Sequence, residues 1–195
     1  MRTEPFPHQR LEFEAHKDAD ARALLWQMRT GKTKASLDKT FHRHLERGDV
    51  NGLLVVAPNG VHVNWVRREI PAHSWAEANV KAHAWVSSQW GKPEHDASLE
   101  AVIGHRAGLA ILAVNSEVLI LEKVCRTIAR FLAGRRVKLV VDESHDFRTP
   151  GSKRTRRIRA LAKRCPVREI LTGTPVSNSP LAAYSQFEIL EPGAL

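Results

Sequence analysis

Three short stretches of this 195-residue chain carry side chains that can do phosphate chemistry. The first is Trp26-Gln27-Met28-Arg29-Thr30-Gly31-Lys32-Thr33. Gly31-Lys32-Thr33 has the form of the back half of a phosphate-binding loop, where backbone N–H groups curl toward an anion as a helix begins. Gly31 permits the close approach, Lys32 would reach the β- and γ-phosphates, and the Thr33 hydroxyl would take a place on Mg²⁺. Arg29, Thr30 and Lys34 complete the candidate nucleotide-contacting set. The full pattern wants Gly five residues before Gly31, where Trp26 stands; taken alone, the stretch is also readable as a chance Gly-Lys-Thr in a loop. The second stretch is Asp142-Glu143, at the end of an apolar run. Burying an acidic pair there is costly without a cation, so Asp142 is the candidate Mg²⁺ ligand and Glu143 the candidate group to polarise an attacking water. The third is Thr172-Gly173-Thr174. Upstream, Gln9 has an amide that both donates and accepts, which suits an adenine edge.

These stretches need elements to position them. Residues 22–26 read as a short apolar strand, and Lys34 to Arg47 as a helix with Leu37, Phe41 and Leu45 on one face and Gly48 as its stop. Residues 52–58, 109–114 and 137–142 are continuous β-rich runs, the pattern of strands buried on both faces. Residues 80–86 alternate, and 168–172 form a last strand. Helices are expected over 10–16, 61–70 with Pro71 as stop, 98–105, from an Asn115 or Ser116 cap to about Leu132, 153–164 and 179–190, with 87–96 as loop. Strands alternating with helices predict an α/β fold with a mostly parallel sheet covered on both faces. Ligands in such sheets bind at the carboxyl ends of the strands, and all three chemical stretches sit at such ends.

Composition sets the partner class. The chain is 43% hydrophobic and 26% charged, as globular domains are, but its net charge of +9 favours a polyanion, most often nucleic acid. The two cysteines, Cys125 and Cys165, make neither a disulfide framework nor a metal quartet. Cys125, in a helical pattern beside Val124 and Ile128, is expected to be buried, and the usage fits a reducing, cytoplasmic or nucleoid-associated setting. The N-terminus has no signal-peptide core and no stretch reaches transmembrane length, so no membrane partner is expected. His42 and His44 are two apart and cannot share a helix face, so no protein-ligated metal is expected.

The order of these stretches resembles the first RecA-like domain of superfamily 2 helicases, specifically the Snf-type remodelling translocases. Asp142-Glu-Ser-His145 resembles the DEAH variant of motif II, and Leu171-Thr-Gly-Thr-Pro-Val-Ser-Asn178 closely resembles motif III. Val55-Val-Ala-Pro58 with Trp65 resembles motif Ia, Val114-Asn-Ser-Glu-Val-Leu119 motif Ib, and Pro7-His8-Gln9 the adenine-side Gln motif. The resemblance covers nearly the whole chain. It implies a RecA-like three-layer sandwich over 1–195, ATP and Mg²⁺ as cofactors, and hydrolysis coupled to nucleic acid, DNA rather than RNA. It also implies that His145, Thr172, Gly173 and Thr174 couple the nucleotide to DNA and to a second RecA-like domain. Pro58, Asn59, Asn115 and Ser116, from motifs Ia and Ib, would touch the nucleic-acid backbone.

Two departures stand out. The family loop carries Gly where this chain has Arg29, a long cation at the lip of the phosphate site. No stretch corresponds to the second lobe with its arginine finger, so full hydrolysis is expected to need a lobe from the same or another chain. The run from Lys153 to Arg164, including Arg154, Arg156 and Arg157, is dense in cations; it reads as a nucleic-acid or partner contact, or as a solvated helix face. Two functions remain: the ATP-binding lobe of a DNA-stimulated ATPase motor, or a catalytically weak nucleic-acid- or partner-binding module built from such a domain.

Overall fold

The computed structural model describes residues 3–174 and 180–193. In chain order it comprises α1 (Pro7–His16), β1 (Ala21–Leu24), α2 (Lys32–Leu45), β2 (Gly52–Ala57), α3 (Val61–Asn64), a π-helical turn (Trp65–Glu69) and α4 (Ile70–His73). Then follow β3 (Lys81–Ala84), α5 (Pro93–Ile103), β4 (Ala110–Asn115), α6 (Glu122–Leu132), β5 (Val137–Asp142), α7 (Lys153–Ala162), β6 (Val167–Leu171) and α8 (Pro180–Leu190). The six strands form one parallel sheet in the order β1-β6-β5-β2-β4-β3. Every residue of β2, β4 and β5 is buried, as their unbroken apolar runs require. On one face Phe41 of α2 and Trp65 pack with Leu53, Val55 and Leu171. On the other, Leu99, Ile128, Ile158 and Ile189 from α5, α6, α7 and α8 pack with Leu54, Val56, Leu112 and Val141. The fold is the predicted α/β sandwich of three layers.

Several boundaries differ from the sequence expectation, each for a local reason. β1 ends at Leu24, so Leu25 and Trp26 belong to the loop rather than the strand. α2 begins at Lys32 instead of Lys34, because Gly31 at φ 78° makes the turn into the helix. Pro71 does not stop the third helix, which runs on to His73. The π turn before it opens the backbone ladder, with the Ile70 N–H bonding the Trp65 carbonyl, and that widening accommodates a ring that would otherwise crowd the carbonyl four residues back. α5 starts at Pro93, inside the expected loop, with proline in its favoured first-turn place. Asn115 caps a 3₁₀ segment, Ser116–Ile120, and not α6; extended Leu121 separates the two. Cys125 is only half-buried, its Sγ donating to the Leu119 carbonyl; Cys165 is the buried thiol.

A charged layer lies near the amino ends of β5 and β6. Buried Glu169 pairs with Lys39 and Lys138 and accepts from the Ser36 hydroxyl. Glu12 of α1 reaches Lys39 at 3.0 Å and Arg22 at 2.8 Å, so one ion network ties α1 and α2 to the sheet. Burial alone would raise the Glu169 carboxyl; Lys138 and Lys39 beside it hold it at about 2. Lys138 is pulled down to about 8, burial outweighing the one carboxylate it shares with Lys39.

Candidate functional site

The sheet order brings the chemical stretches together. β1, β6 and β5 are neighbours, so the segments that follow them lie side by side: Gln27–Thr33, Thr172–Thr174 and Glu143–His145. A cavity of about 390 Å³ opens there, lined by Arg29, Gly31, Lys32, Thr33, Lys34, Asp142 and Glu143, with Phe6, Gln9 and Met28 on one side and Glu69 and His73 on the other. Its volume lies in the usual range for small-molecule sites. A larger cavity of about 480 Å³ sits between α1 and Trp26; its walls are mostly apolar and hold none of Lys32, Asp142 or Glu143.

The loop is held from below by α1. Buried Gln9 donates from Nε2 to the carbonyls of Thr30 and Gly31, each at 3.2 Å, and its Oε1 accepts from the Phe6 N–H at 2.9 Å. Its amide donors are thus engaged by the loop, whatever it offers an adenine. Gly31 is required twice over: its φ is 78° and an added Cβ would stand 2.0 Å from Gln9 Nε2. Lys32 Nζ donates to the carbonyls of Trp26 at 2.9 Å and Gln27 at 3.0 Å, so the ammonium already caps the loop interior. Trp26 is therefore no failed glycine. Its carbonyl serves the loop while its ring turns away to meet His8 edge-on at 5.2 Å. Arg29 is exposed at φ 62°, a left-handed backbone that favours glycine; this accounts for the family residue at that place. Lys34 lines the cavity but pairs with Asp38 at 2.6 Å.

Across the cavity, Asp142 ends β5 with its carboxylate fixed at both oxygens. Oδ1 accepts from the Glu143 N–H at 3.0 Å, and Oδ2 accepts from the Trp65 indole at 2.9 Å. Burial pushes the Asp142 carboxyl up; the Trp65 bond and Lys32 oppose the rise and the Glu143 charge adds to it. A buried carboxylate reluctant to carry its charge is a donor that a cation would satisfy. No cluster of three His, Cys, Asp or Glu among the described residues is arranged to hold a metal. Mg²⁺ does not ask for one, since it keeps waters and takes one or two carboxylates plus phosphates. The residues present therefore fit Mg²⁺, with Asp142 and the Thr33 hydroxyl to hold it.

Glu143 also adopts a left-handed backbone, φ 50° and ψ 54°, an observed strain of the kind that collects at functional sites. Its Oε2 lies 3.2 Å from His145 Nδ1. The same nitrogen is 3.1 Å from Thr172 Oγ1 and 3.5 Å from Thr174 Oγ1, and the Thr174 N–H donates to Thr172 Oγ1 at 3.1 Å. Of the candidate coupling residues, His145, Thr172 and Thr174 thus form one network ending on Glu143. Gly173 lies against the loop, its position for a Cβ being 3.4 Å from the Trp26 carbonyl. Pro175–Asn178, the remainder of the third motif, lie outside the described residues.

The candidate nucleic-acid residues divide. Asn59 is exposed and Pro58 half-buried at the carboxyl end of β2. Asn115 and Ser116 are 7% and 2% exposed, so their side chains turn into the fold. Asn115 Oδ1 accepts from the N–H groups of Glu117 and Val118, and Ser116 Oγ donates to Asp146 Oδ2 at 3.2 Å; both shape the loop from within. On α7, Lys153, Arg156 and Arg157 are exposed and Arg154 half-exposed, while Thr155, Ile158 and Ala162 face the core. These cations crowd the first turns, with no acid in the first turn. The helix dipole disfavours that arrangement by a few tenths to about 1 kcal/mol each, so folding alone does not select it.

Sequence reading named Trp65 only with motif Ia and gave Glu69 and His73 no role at this cavity. Trp65, Glu69 and His73 come from the helical segment 61–73; Trp65 grips Asp142, and Glu69 and His73 line the cavity. Their spacing by four was visible, but only the fold turns it toward β5.

Comparison with known proteins bears on the family and the fold. The SNF2-related domain family matches residues 21–195. Among solved structures, the Sulfolobus solfataricus SWI2/SNF2 ATPase core in complex with dsDNA aligns at 17% identity with a TM-score of 0.71. That alignment covers 99% of this chain and 37% of the other. No curated protein sequence matches significantly. With that family match over most of its length and this parallel sheet, the chain belongs to the SNF2-related family as a Snf2-type, superfamily 2 N-terminal RecA-like domain, a helicase-like ATPase lobe.

Proposed function

We propose that this domain is the ATP-binding lobe of a Mg²⁺-dependent, DNA-stimulated translocase motor. The observation that carries the reading is the convergence of Lys32, Thr33, Asp142 and Glu143 on one cavity at the carboxyl ends of β1 and β5, with β6 between them. The α2 N-terminus and Lys32 bind phosphate oxygens, Lys32 leaving its loop carbonyls to do so. Thr33 and Asp142 would hold Mg²⁺, which when bound would supply charge neutralisation for the phosphates. Glu143 takes up the proton side of an attacking water, oriented by His145. Thr172 and Thr174, bonded to the same imidazole, pass changes at the nucleotide to the neighbouring surface. Arg29 stands at the lip of the cavity, beside the phosphates. A second RecA-like lobe, in the same or another chain, supplies an arginine, worth roughly 10³–10⁵ in rate in such reactions. DNA runs along the carboxyl edge, past Asn59 and the uncompensated cations of α7, held by its phosphates rather than its bases; the dsDNA in the Sulfolobus structure supports DNA over RNA.

The test is ATP binding by Lys32→Ala. Titration calorimetry is expected to show binding by the parent and none by the variant; equal affinity removes Lys32 from the site. Adding a second lobe should raise DNA-stimulated turnover, and robust turnover without one refutes the need for its arginine. The alternative, a binding module that has lost catalysis, draws on the α7 cations and predicts strongly salt-dependent DNA binding that ignores ATP.

A further inference from the structure

The Trp65–Asp142 bond joins residues 77 positions apart in the chain. Trp65 is 1% exposed, so water does not compete for its indole N–H, while Asp142, 7% exposed, opens only onto the cavity. An indole N–H buried in a core can be satisfied by any carbonyl. Here it is spent on an ionisable side chain for which no cation partner stands within ion-pair reach among the described residues.

The carboxylate is thereby fixed in rotation. The Glu143 N–H holds Oδ1 and the Trp65 N–H holds Oδ2; turning the group about its terminal bond breaks one or both. Each oxygen keeps a second lone pair. Asp142 lines the same cavity as Lys32 and Thr33, so lone pairs not used by the two N–H groups remain for a ligand there.

The helix that delivers the indole is itself deformed. The π turn begins at Trp65, whose carbonyl takes the Ile70 N–H, and Pro71 follows within the same helical segment. Single π turns recur at functional sites because they re-aim side chains that a regular helix would send elsewhere. Further along the segment, Glu69 and His73 line the cavity itself. The start of the segment is anchored at β2, where the Pro58 carbonyl accepts from the N–H groups of Val61 and His62.

We infer that Trp65 is the positioning residue of the metal-facing carboxylate: its indole N–H orients Asp142 for Mg²⁺ and contacts neither metal nor nucleotide itself. This rests on reading Asp142 as the Mg²⁺ ligand. Outer partners of metal ligands typically contribute about 10–100-fold in metal affinity.

The test is titration of ATP into the full chain, once with Mg²⁺ and once with EDTA, for the parent, Trp65→Phe and Asp142→Asn. The parent should gain affinity from Mg²⁺ and Asp142→Asn should lose that gain. Trp65→Phe should lose about tenfold of the gain while binding in EDTA stays within about twofold. A purely structural role would lower both affinities together and would overturn the inference. If Asp142→Asn keeps the gain, or the parent has none, the metal reading fails and the inference falls with it. If Asp142→Asn loses the gain and Trp65→Phe keeps it, only the role of Trp65 fails. A second substitution, benzothienylalanine at position 65, keeps the bicyclic shape without the N–H. It should behave as Trp65→Phe does; parental Mg²⁺ dependence in that variant refutes the hydrogen bond as the cause.

Discussion

Replacing Gly31 with alanine should break the phosphate loop in a way that depends on Gln9. The new methyl would be built at φ 78° and 2.0 Å from Gln9 Nε2. The left-handed backbone costs a residue with a Cβ roughly 1–2 kcal/mol. The contact is far inside van der Waals distance, so the amide must leave, giving up its bonds to the Thr30 and Gly31 carbonyls. At roughly 0.5–1.5 kcal/mol per bond, the total is about 2–5 kcal/mol. In a Gln9→Ala background the amide is already gone, and only the backbone cost of roughly 1–2 kcal/mol remains. The lower entropy of the unfolded chain that comes with any Gly→Ala change stabilises by a few tenths to about 1 kcal/mol, but it is common to both backgrounds and cancels in the cycle. Urea denaturation of the parent, both single variants and the double variant measures the coupling, expected at about 1–3 kcal/mol. An equal cost of Gly31→Ala in the two backgrounds would refute the view that α1 clamps the loop through Gln9.

Arg29→Gly should stabilise the fold by about 0.5–1 kcal/mol, since relief of the left-handed arginine exceeds the extra entropy glycine loses on folding; a lower urea midpoint would speak against it. Glu169, held at about 2 against an ordinary 4.5, contributes stability that is complete above pH 4.5 and is lost as pH falls toward 2, because the unfolded chain takes up the proton first. Glu169→Gln should flatten that acid limb, followed by circular dichroism. At neutral pH it should cost roughly 3–5 kcal/mol, because Lys39 and Lys138 lose their buried counter-charge; an unchanged acid profile would show that other carboxylates set it.

Patterns of short range were legible in the sequence. The apolar runs of β2, β4 and β5 could only be strands buried on both faces, and a glycine followed by Lys32 and Thr33 could only enter a helix through an anion-ready turn if it was a phosphate loop at all. Boundaries within a few residues of Pro71 and Pro93 were not legible, because proline ends a helix or sits inside one depending on whether the preceding turn can widen or the chain has just begun to coil. The burial of Asn115 and Ser116 was hidden for a similar reason: a polar residue after a strand looks exposed until its bonding partners, the Glu117 and Val118 N–H groups and Asp146, are located.

The sequence by itself determined the fold class, the order of the phosphate-binding and acidic stretches, and the cationic character of α7, because each follows from residues adjacent or periodic along the chain. Tertiary structure alone decided that β6 lies between β1 and β5, which sets the segments carrying Lys32, Thr172 and Asp142 side by side at the carboxyl edge of the sheet. It alone brought Gln9 under Gly31 and Trp65 onto Asp142. Those contacts depend on strand order and on a π turn. Both are settled by how the helices pack on the sheet, a property of the whole chain that no local pattern encodes.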